Sequence, residues 1–353
     1  MPSAKQHDAE QLSAPFPYYG GKRRVAPIIW KALGDPTLYI EPFIGSAAAL
    51  LGRPLDEGFP GSRLEIINDA DAFVANLWRS IKHNPAAVAR RCEHPLSELD
   101  MLARHRRLCD HKRKRRLVER MGLEPEYFDA VAAGDWLYCK SAWIGGGICE
   151  AEWFGPGDAR NRGTCINAGK IPQLNVNGTF ARSRRQAVTK IITALSDRLR
   201  HLSITCGDWS RIFFPSLMQK HRCGIFLDPP YAHSTGRDKT LYRIEMESTD
   251  GVAEFCRRHG KKKNVRIVLA GLDGEYDLPG WRVIPWSASH CFGRDEKSGK
   301  RHLERLWISP HCQPVDVADA PHRHTKGARW RPRSKPGSKP VRRHRERSSS
   351  RPR

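Results

Sequence analysis

The chain has 353 residues, enough for one large domain or two modest ones and for a sizeable buried core. Lys and Arg total 61 against 38 Asp and Glu, and the resulting formal charge of +23 points to a polyanionic partner, with nucleic acid first. A mean hydropathy of −0.60 and the lack of any apolar stretch near about 18 residues exclude a membrane-spanning helix.

The amino-terminal segment and the cysteines point to a cytoplasmic protein. The first nineteen residues lack the apolar core of a secretory signal. No two of the ten cysteines have the C-x-x-C spacing that is usual for zinc, so we expect reduced, mostly buried thiols and no metal site.

Short apolar runs alternate with helical patterns along the chain. Helices are predicted to begin at Ala47 and to run from Asp71 to Ile81, where apolar residues recur at helical spacing. Strands are predicted at 38–40, 64–67, 224–227, 265–270, 283–285 and 305–308. This alternation predicts an α/β fold with a parallel, Rossmann-like sheet.

The order of these patterns predicts four regions. Residues 1–80 and 191–312 would form the two parts of the α/β domain, separated by an inserted module at 81–190 that is basic and helical at first and then loop-rich. Residues 313–353 form a predicted disordered tail whose last 33 positions hold thirteen basic side chains and one acidic one. The tail is either a solubilising extension or, as we favour, an arm that binds phosphates non-specifically.

Acidic residues follow three of the predicted strands, at the sheet edge where α/β proteins bind ligands. Glu41 is followed by a turn of small residues. Such a turn either lets a ligand approach the backbone or is an ordinary connection between a strand and a helix. Asp69 ends the next strand and either binds ribose hydroxyls or, like Asp71, caps the following helix.

The third acidic residue gives the strongest signal. Asp228 opens the sequence Asp228-Pro229-Pro230-Tyr231 directly after an apolar strand. Two prolines fix the backbone and remove two N–H groups, so that a carboxylate, a main-chain oxygen and an aromatic ring converge. That set suits an exocyclic amino group on a planar ring, because the two oxygens accept its hydrogens while the tyrosine stacks on the ring.

Taken together, these segments resemble a known family. Tyr18-Tyr19-Gly20-Gly21-Lys22, the EPFIG turn at 41–45, the NDAD segment at 68–71 and the DPPY segment at 228–231 are similar to the Dam-like adenine-specific DNA methyltransferases. The order of the segments, with the insert before DPPY, is that of the family's alpha group. The family's second glycine in the first turn is Ala47 here.

The resemblance implies a class I methyltransferase sheet, an inserted target-recognition module and S-adenosylmethionine as cofactor. It implies a cofactor site made of Tyr18, Lys22, Glu41, Phe43, Gly45, Asp69, Asp208, Trp209 and Asp228. Within that site, Lys22 would lie near the cofactor carboxylate, Asp69 would bind the ribose and Asp208-Trp209 would touch the adenine. The implied catalytic residues are Asp228, Pro229, Pro230 and Tyr231.

The implied reaction is methyl transfer to the amino group at position 6 of an adenine flipped out of double-stranded DNA. Phosphates and base edges would be contacted from the insert by Arg104, Arg113, Arg115, Arg182, Arg184 and Arg185, although a solvated surface is the alternative for each. The resemblance further implies a monomer in a prokaryotic or phage-infected cell, with or without a partner restriction endonuclease.

Two other readings remain open at this point. The motif also suits a methyltransferase that acts on RNA adenine, on cytosine or on a glutamine amide. Alternatively, the chain binds nucleic acid without catalysis.

Overall fold

A computed structural model describes residues 12–16, 21–54, 63–95, 97–142, 148–149, 181–230, 250–286 and 304–316. All of them belong to one compact unit, Met1–His322, and the second unit, Arg323–Arg353, lies outside the described residues together with most of the predicted tail.

The described core is a seven-stranded sheet. Its strands are β1 (Leu38–Glu41), β2 (Leu64–Asp69), β3 (Ser203–Cys206), β4 (Cys223–Leu227), β5 (Val265–Leu272), β6 (Arg282–Pro285) and β7 (Glu304–Ile308). Their spatial order is β3-β2-β1-β4-β5-β7-β6. Only β7 runs against its neighbours, so the sheet is mostly parallel and is compatible with a Rossmann-like fold.

The apolar composition of the central strands explains their position. Every residue of β1 and β4 is buried, as expected for strands covered by helices on both faces. Large apolar side chains such as Tyr39 and Phe226 pack on one face, and Leu38 and Ile225 pack on the other. Two cores therefore flank the sheet.

The described helices are α1 (Ala26–Leu33), α2 (Ala48–Leu51), α3 (Ala72–His83), α4 (Pro85–Cys92), α5 (Glu98–Cys109), α6 (His111–Leu123), α7 (Ala130–Ala142), α8 (Ala181–Leu199), α9 (Pro215–Lys220) and α10 (Asp250–His259). A short 3-10 helix spans Trp209–Ile212. Asp71, Asn84 and Ser97 begin α3, α4 and α5 by accepting hydrogen bonds from backbone N–H groups in the first turn. No helix in the described ranges is long and apolar enough to cross a membrane.

The predicted strands and the α/β class are confirmed, and the observed strand ends lie within two residues of the predicted ones. The strand β3 and the helices α1, α8, α9 and α10 were not predicted. The fold also continues past residue 313, where the predicted tail begins, because the Gln313 amide donates to the Ala32 carbonyl oxygen at 2.8 Å and Val315 is buried.

The predicted insert begins with the four helices α4 to α7, and its predicted loop-rich part lies almost wholly outside the described residues. Several of its buried apolar side chains, Met101 and Trp136 among them, belong to the same core as Tyr39 and Phe226 of the sheet. The boundary predicted at residue 190 falls inside the continuous helix α8.

Eight of the ten cysteines lie in the described part of the chain, and six of these are buried. Burial raises the pKa of Cys92 to about 12. Such thiols stay protonated at neutral pH and are poor nucleophiles.

Candidate functional site

The connections of the sheet reverse direction between β1 and β4. From β1 the chain adds β2 and β3 on one side, whereas β4 and β5 lie on the other. Because Ile40 pairs with Ile225, the last residue of β1, Glu41, and the first residue after β4, Asp228, come to the same edge of the sheet. This switch point is where open α/β sheets bind ligands.

Lys22 joins this edge from the segment that precedes α1. Its Nζ lies 2.8 Å from Asp228 Oδ1, and its side chain is only 3 % exposed while that of Asp228 is 22 % exposed. Burial raises the pKa of Asp228, and the charge and hydrogen bond of Lys22 act against that increase. The lysine therefore favours the ionised form of Asp228.

Glu41 is fully enclosed beside this ion pair. Its Oε2 accepts a hydrogen bond of 2.7 Å from the Tyr39 hydroxyl. Burial raises the pKa of Glu41 to about 8, with the Tyr39 hydrogen bond acting against the increase and the charge of Asp228 adding to it. At neutral pH the site thus holds one ion pair and one carboxyl group that keeps its proton.

The turn after β1 is fixed by hydrogen bonds to β2 and α3. The Gly45 amide donates to Asp69 Oδ2 at 3.0 Å, and the Trp78 indole donates to the Gly45 carbonyl oxygen at 2.9 Å. Gly45 has φ +44°, which suits glycine, but Ala47 also lies in the left-handed region at φ +56°. Ala47 therefore adopts a backbone conformation that favours glycine.

The two acidic residues at the end of β2 have different roles. Asp71 begins α3, since its carboxylate accepts from the Phe73 amide at 2.8 Å. Asp69 instead receives the amides of Gly45 and Asp71, one on each carboxylate oxygen. It thereby ties the ends of β1 and β2 together at the site edge.

Aromatic rings lie at the same edge after β3. The ring of Trp209 stacks on that of Phe43 with centroids 5.9 Å apart and an interplanar angle of 29°. Asp208 is exposed and begins the 3-10 helix that carries Trp209, its Oδ1 accepting from the Ser210 amide. The neighbouring Gly207 carbonyl oxygen accepts from the Asn68 amide group at 2.9 Å.

The described residues thus bring together Lys22, Glu41 and Asp228, and they bring Gly45 to Asp69 and Phe43 to Trp209. Pro229 is buried and Pro230 is partly exposed directly after Asp228. The predicted site residues Tyr18 and Tyr231 lie outside the described residues.

The predicted DNA-contacting arginines are placed differently from one another. Arg104 is buried: its Nη1 donates to the Arg91 carbonyl oxygen at 2.6 Å and its guanidinium lies over the Tyr138 ring. Arg113 pairs with Asp129 at 3.2 Å, whereas Arg115 is exposed on α6. For the three predicted arginines of α8, at 182, 184 and 185, only the backbone is described.

Two residues of the site were missed by sequence reasoning. Tyr39 carries a usable signal, because residues two apart in a strand share a face and Glu41 follows it at that spacing. Trp286 has no such signal in the sequence, because it follows β6, far along the chain from Lys22. In the structure, Lys22 Nζ lies 5.6 Å from the centroid of its ring. Its indole Nε1 is buried without a hydrogen-bond partner among the described residues.

Within the described ranges, no group of three or more His, Cys, Asp or Glu side chains has an arrangement that could hold a metal ion. No family model matches the chain, and no curated protein matches it.

Proposed function

We propose that the chain transfers a methyl group from S-adenosylmethionine to the amino group at position 6 of adenine in double-stranded DNA. The observation that carries the proposal is the meeting of Lys22, Glu41 and Asp228 at the switch point of the sheet, directly before the rigid Pro229-Pro230 segment. The resemblance of the sequence adds the substrate and the methyl donor.

The described side chains at this edge of the sheet have the chemistry needed to bind S-adenosylmethionine. A lysine ammonium suits its carboxylate, a carboxylate at the end of β2 suits its ribose hydroxyls, and a Trp209–Phe43 stack suits a planar purine. Gly45 lets a ligand approach the backbone of the first turn closely. When bound, the donor supplies an electrophilic methyl group.

Asp228 has the central role in this proposal. With Oδ1 on Lys22, its carboxylate accepts one hydrogen of the adenine amino group through Oδ2, and the Pro229 carbonyl oxygen accepts the other. These two bonds localise the nitrogen lone pair, which in adenine is delocalised into the ring. The carboxylate would then stabilise the positive charge that develops on nitrogen as the N–CH3 bond forms and the S–CH3 bond of the donor breaks. The surplus proton on nitrogen would leave to Asp228 or to water.

Lys22 and Glu41 determine the charge around Asp228. Lys22 opposes the effect of burial and so holds Asp228 as an acceptor. Glu41 stays protonated at neutral pH, and a cationic amino group of the bound donor would favour release of that proton. The site thereby accepts a ligand with both a positive and a negative end.

The DNA surface in this proposal excludes Arg104, because that side chain is buried in contacts with Arg91 and Tyr138. Arg115 and the neighbouring Arg116 are exposed on α6 and carry charge suited to a phosphate backbone. The arginines at the start of α8 remain predicted contacts.

The proposal is tested by expressing the chain in a host that lacks DNA methylation and mapping modified adenines across the genome. We expect methylated adenines at a recurring short sequence, and none with the Asp228→Ala variant, which should still bind DNA. Unmodified DNA in cells that contain folded protein would contradict the proposal. Methyl groups found instead on RNA, on cytosine or on glutamine would show that the enzyme has a different substrate.

A further inference from the structure

One carboxylate in the helical region holds three arginines. Asp135 on α7 is fully buried, at 0 % side-chain exposure. Arg91 Nε lies 2.7 Å from its Oδ1, Arg107 Nη1 lies 3.5 Å from its Oδ2, and Arg104 Nε lies 3.7 Å from its Oδ1. This cluster joins α4, α5 and α7 and has no part in the site described above.

Close helix packing builds the cluster. A Cβ at Gly134 would lie 2.3 Å from Arg91 Cβ, so the glycine lets α4 approach α7 closely enough for Arg91 to reach Asp135. Arg104 is the buried member, fixed by the Tyr138 ring and the Arg91 carbonyl oxygen. The fold thus determines where the two other guanidinium groups lie.

The positive charge of the cluster exceeds its negative charge. One carboxylate balances one of three arginines, and the exposed Asp100 acts electrostatically on Arg91 as well. The side chain of Arg107 is 46 % exposed and that of Arg91 is 32 % exposed. Like charges held this close repel one another, and an anion bound from solvent would relieve that repulsion.

The nature of the anion follows from the side chains. A guanidinium presents a planar fork of donors that matches two oxygens of a phosphate, and an arginine already oriented by a carboxylate loses little freedom on binding. Helix α7 links the cluster to the start of α3: Asp135 precedes Lys140 by five residues, about 7.5 Å along the helix, and Lys140 interacts electrostatically with Asp71.

We propose that Arg107 and Arg91, oriented by Asp135, bind a backbone phosphate of the duplex DNA whose adenine enters the site. This inference rests on the proposed function and adds to it a phosphate contact made by two arginines that share one buried carboxylate. The contact is independent of base sequence, so it would position the DNA and not select the target.

The test measures binding of a fluorescent DNA duplex by the full chain over a series of salt concentrations. Arg107→Gln removes the most exposed member of the cluster, and Arg200→Gln removes a still more exposed charge that pairs with Asp197 elsewhere. Because both variants keep the basic tail, its contribution to binding cancels in the comparison.

We expect Arg107→Gln to weaken binding about tenfold and to lower the slope of log K against log salt concentration by about 1, with Arg200→Gln like wild type. Arg107→Lys, which keeps the charge but loses the fork, should fall between them. Binding by Arg107→Gln equal to that by Arg200→Gln would overturn the inference and leave the proposed function intact.

Two further outcomes separate the inference from the proposed function. If wild type does not bind the DNA duplex at all, both are overturned. If an RNA duplex of the same sequence binds more tightly and only that binding responds to Arg107→Gln, the choice of DNA is wrong. Donor binding, followed by calorimetry, should be the same in all variants.

Discussion

The ion pair between Lys22 and Asp228 gives a prediction about folding stability: the substitution Lys22→Met should lower the free energy of unfolding. Removing one partner of a buried pair costs about 3–5 kcal/mol because the other charge is left uncompensated. The cost has an upper limit here, since Asp228 can take up a proton. Protonating a group with an ordinary pKa of 3.8 at pH 7 costs about 4 kcal/mol. With Asp228 22 % exposed, we expect a loss of about 2–3 kcal/mol at pH 7.

This loss should depend on pH and on Asp228. It should shrink toward pH 4, where protonating the carboxyl group costs little, and Asp228→Asn should abolish it. Urea unfolding of the two single variants and the double variant gives the coupling energy between the residues. The exposed pair Arg200–Asp197, at 2.7 Å against 2.8 Å for Lys22–Asp228, is the matched control and should couple by less than about 0.5 kcal/mol. A coupling for Lys22 and Asp228 as small as that of the control would refute the reasoning.

Three further predictions concern stability and are measured by urea unfolding. The pKa of Glu41 is about 8 in the folded protein against an ordinary 4.5, so the folded state keeps a proton that the unfolded chain releases. The free energy of unfolding should therefore fall by about 5 kcal/mol as pH rises through that window, and Glu41→Gln should remove the fall; an unchanged pH profile would contradict this. Ala47→Gly should leave the free energy of unfolding nearly unchanged, because relief of the left-handed backbone strain offsets the loss of the buried methyl group. The control Ala49→Gly in α2 should lower it by about 1.5–2 kcal/mol. Equal losses in the two variants would show that Ala47 is unstrained. Glu65→Leu should cost about 3–5 kcal/mol, because the carboxylate binds two buried arginines at 2.7 and 2.6 Å, and a loss below about 1 kcal/mol would contradict that.

The strand ends were predictable because local signals and the fold agree there. Apolar runs ending in an acidic residue predicted the positions of Glu41, Asp69 and Asp228, and parallel strands bring their carboxyl ends to one edge. The choice between Asp69 and Asp71 as the helix cap stayed open in the sequence. Geometry favours Asp71, because its carboxylate accepts the Phe73 amide in the first turn of α3.

Contacts between distant segments were not predictable from local patterns. The chain gives no signal that Lys22 pairs with Asp228 across 206 positions, or that Trp286 lies beside that pair. The basic start of the predicted insert shows the same limit. Its composition led us to expect Arg104 to contact DNA, yet Arg104 is buried and Asp135, on another helix, provides its counter-charge.

The most direct test of the central claim is methyl transfer by the purified chain from S-adenosylmethionine carrying a labelled methyl group. Duplex DNA is incubated with wild type or Asp228→Asn, digested to nucleosides and analysed by mass spectrometry. The account predicts labelled adenine methylated at its position 6 amino group with wild type and none with Asp228→Asn, while both proteins bind the methyl donor. Equal labelling by the two proteins, or a folded wild type that binds donor and DNA without labelling adenine, would contradict it.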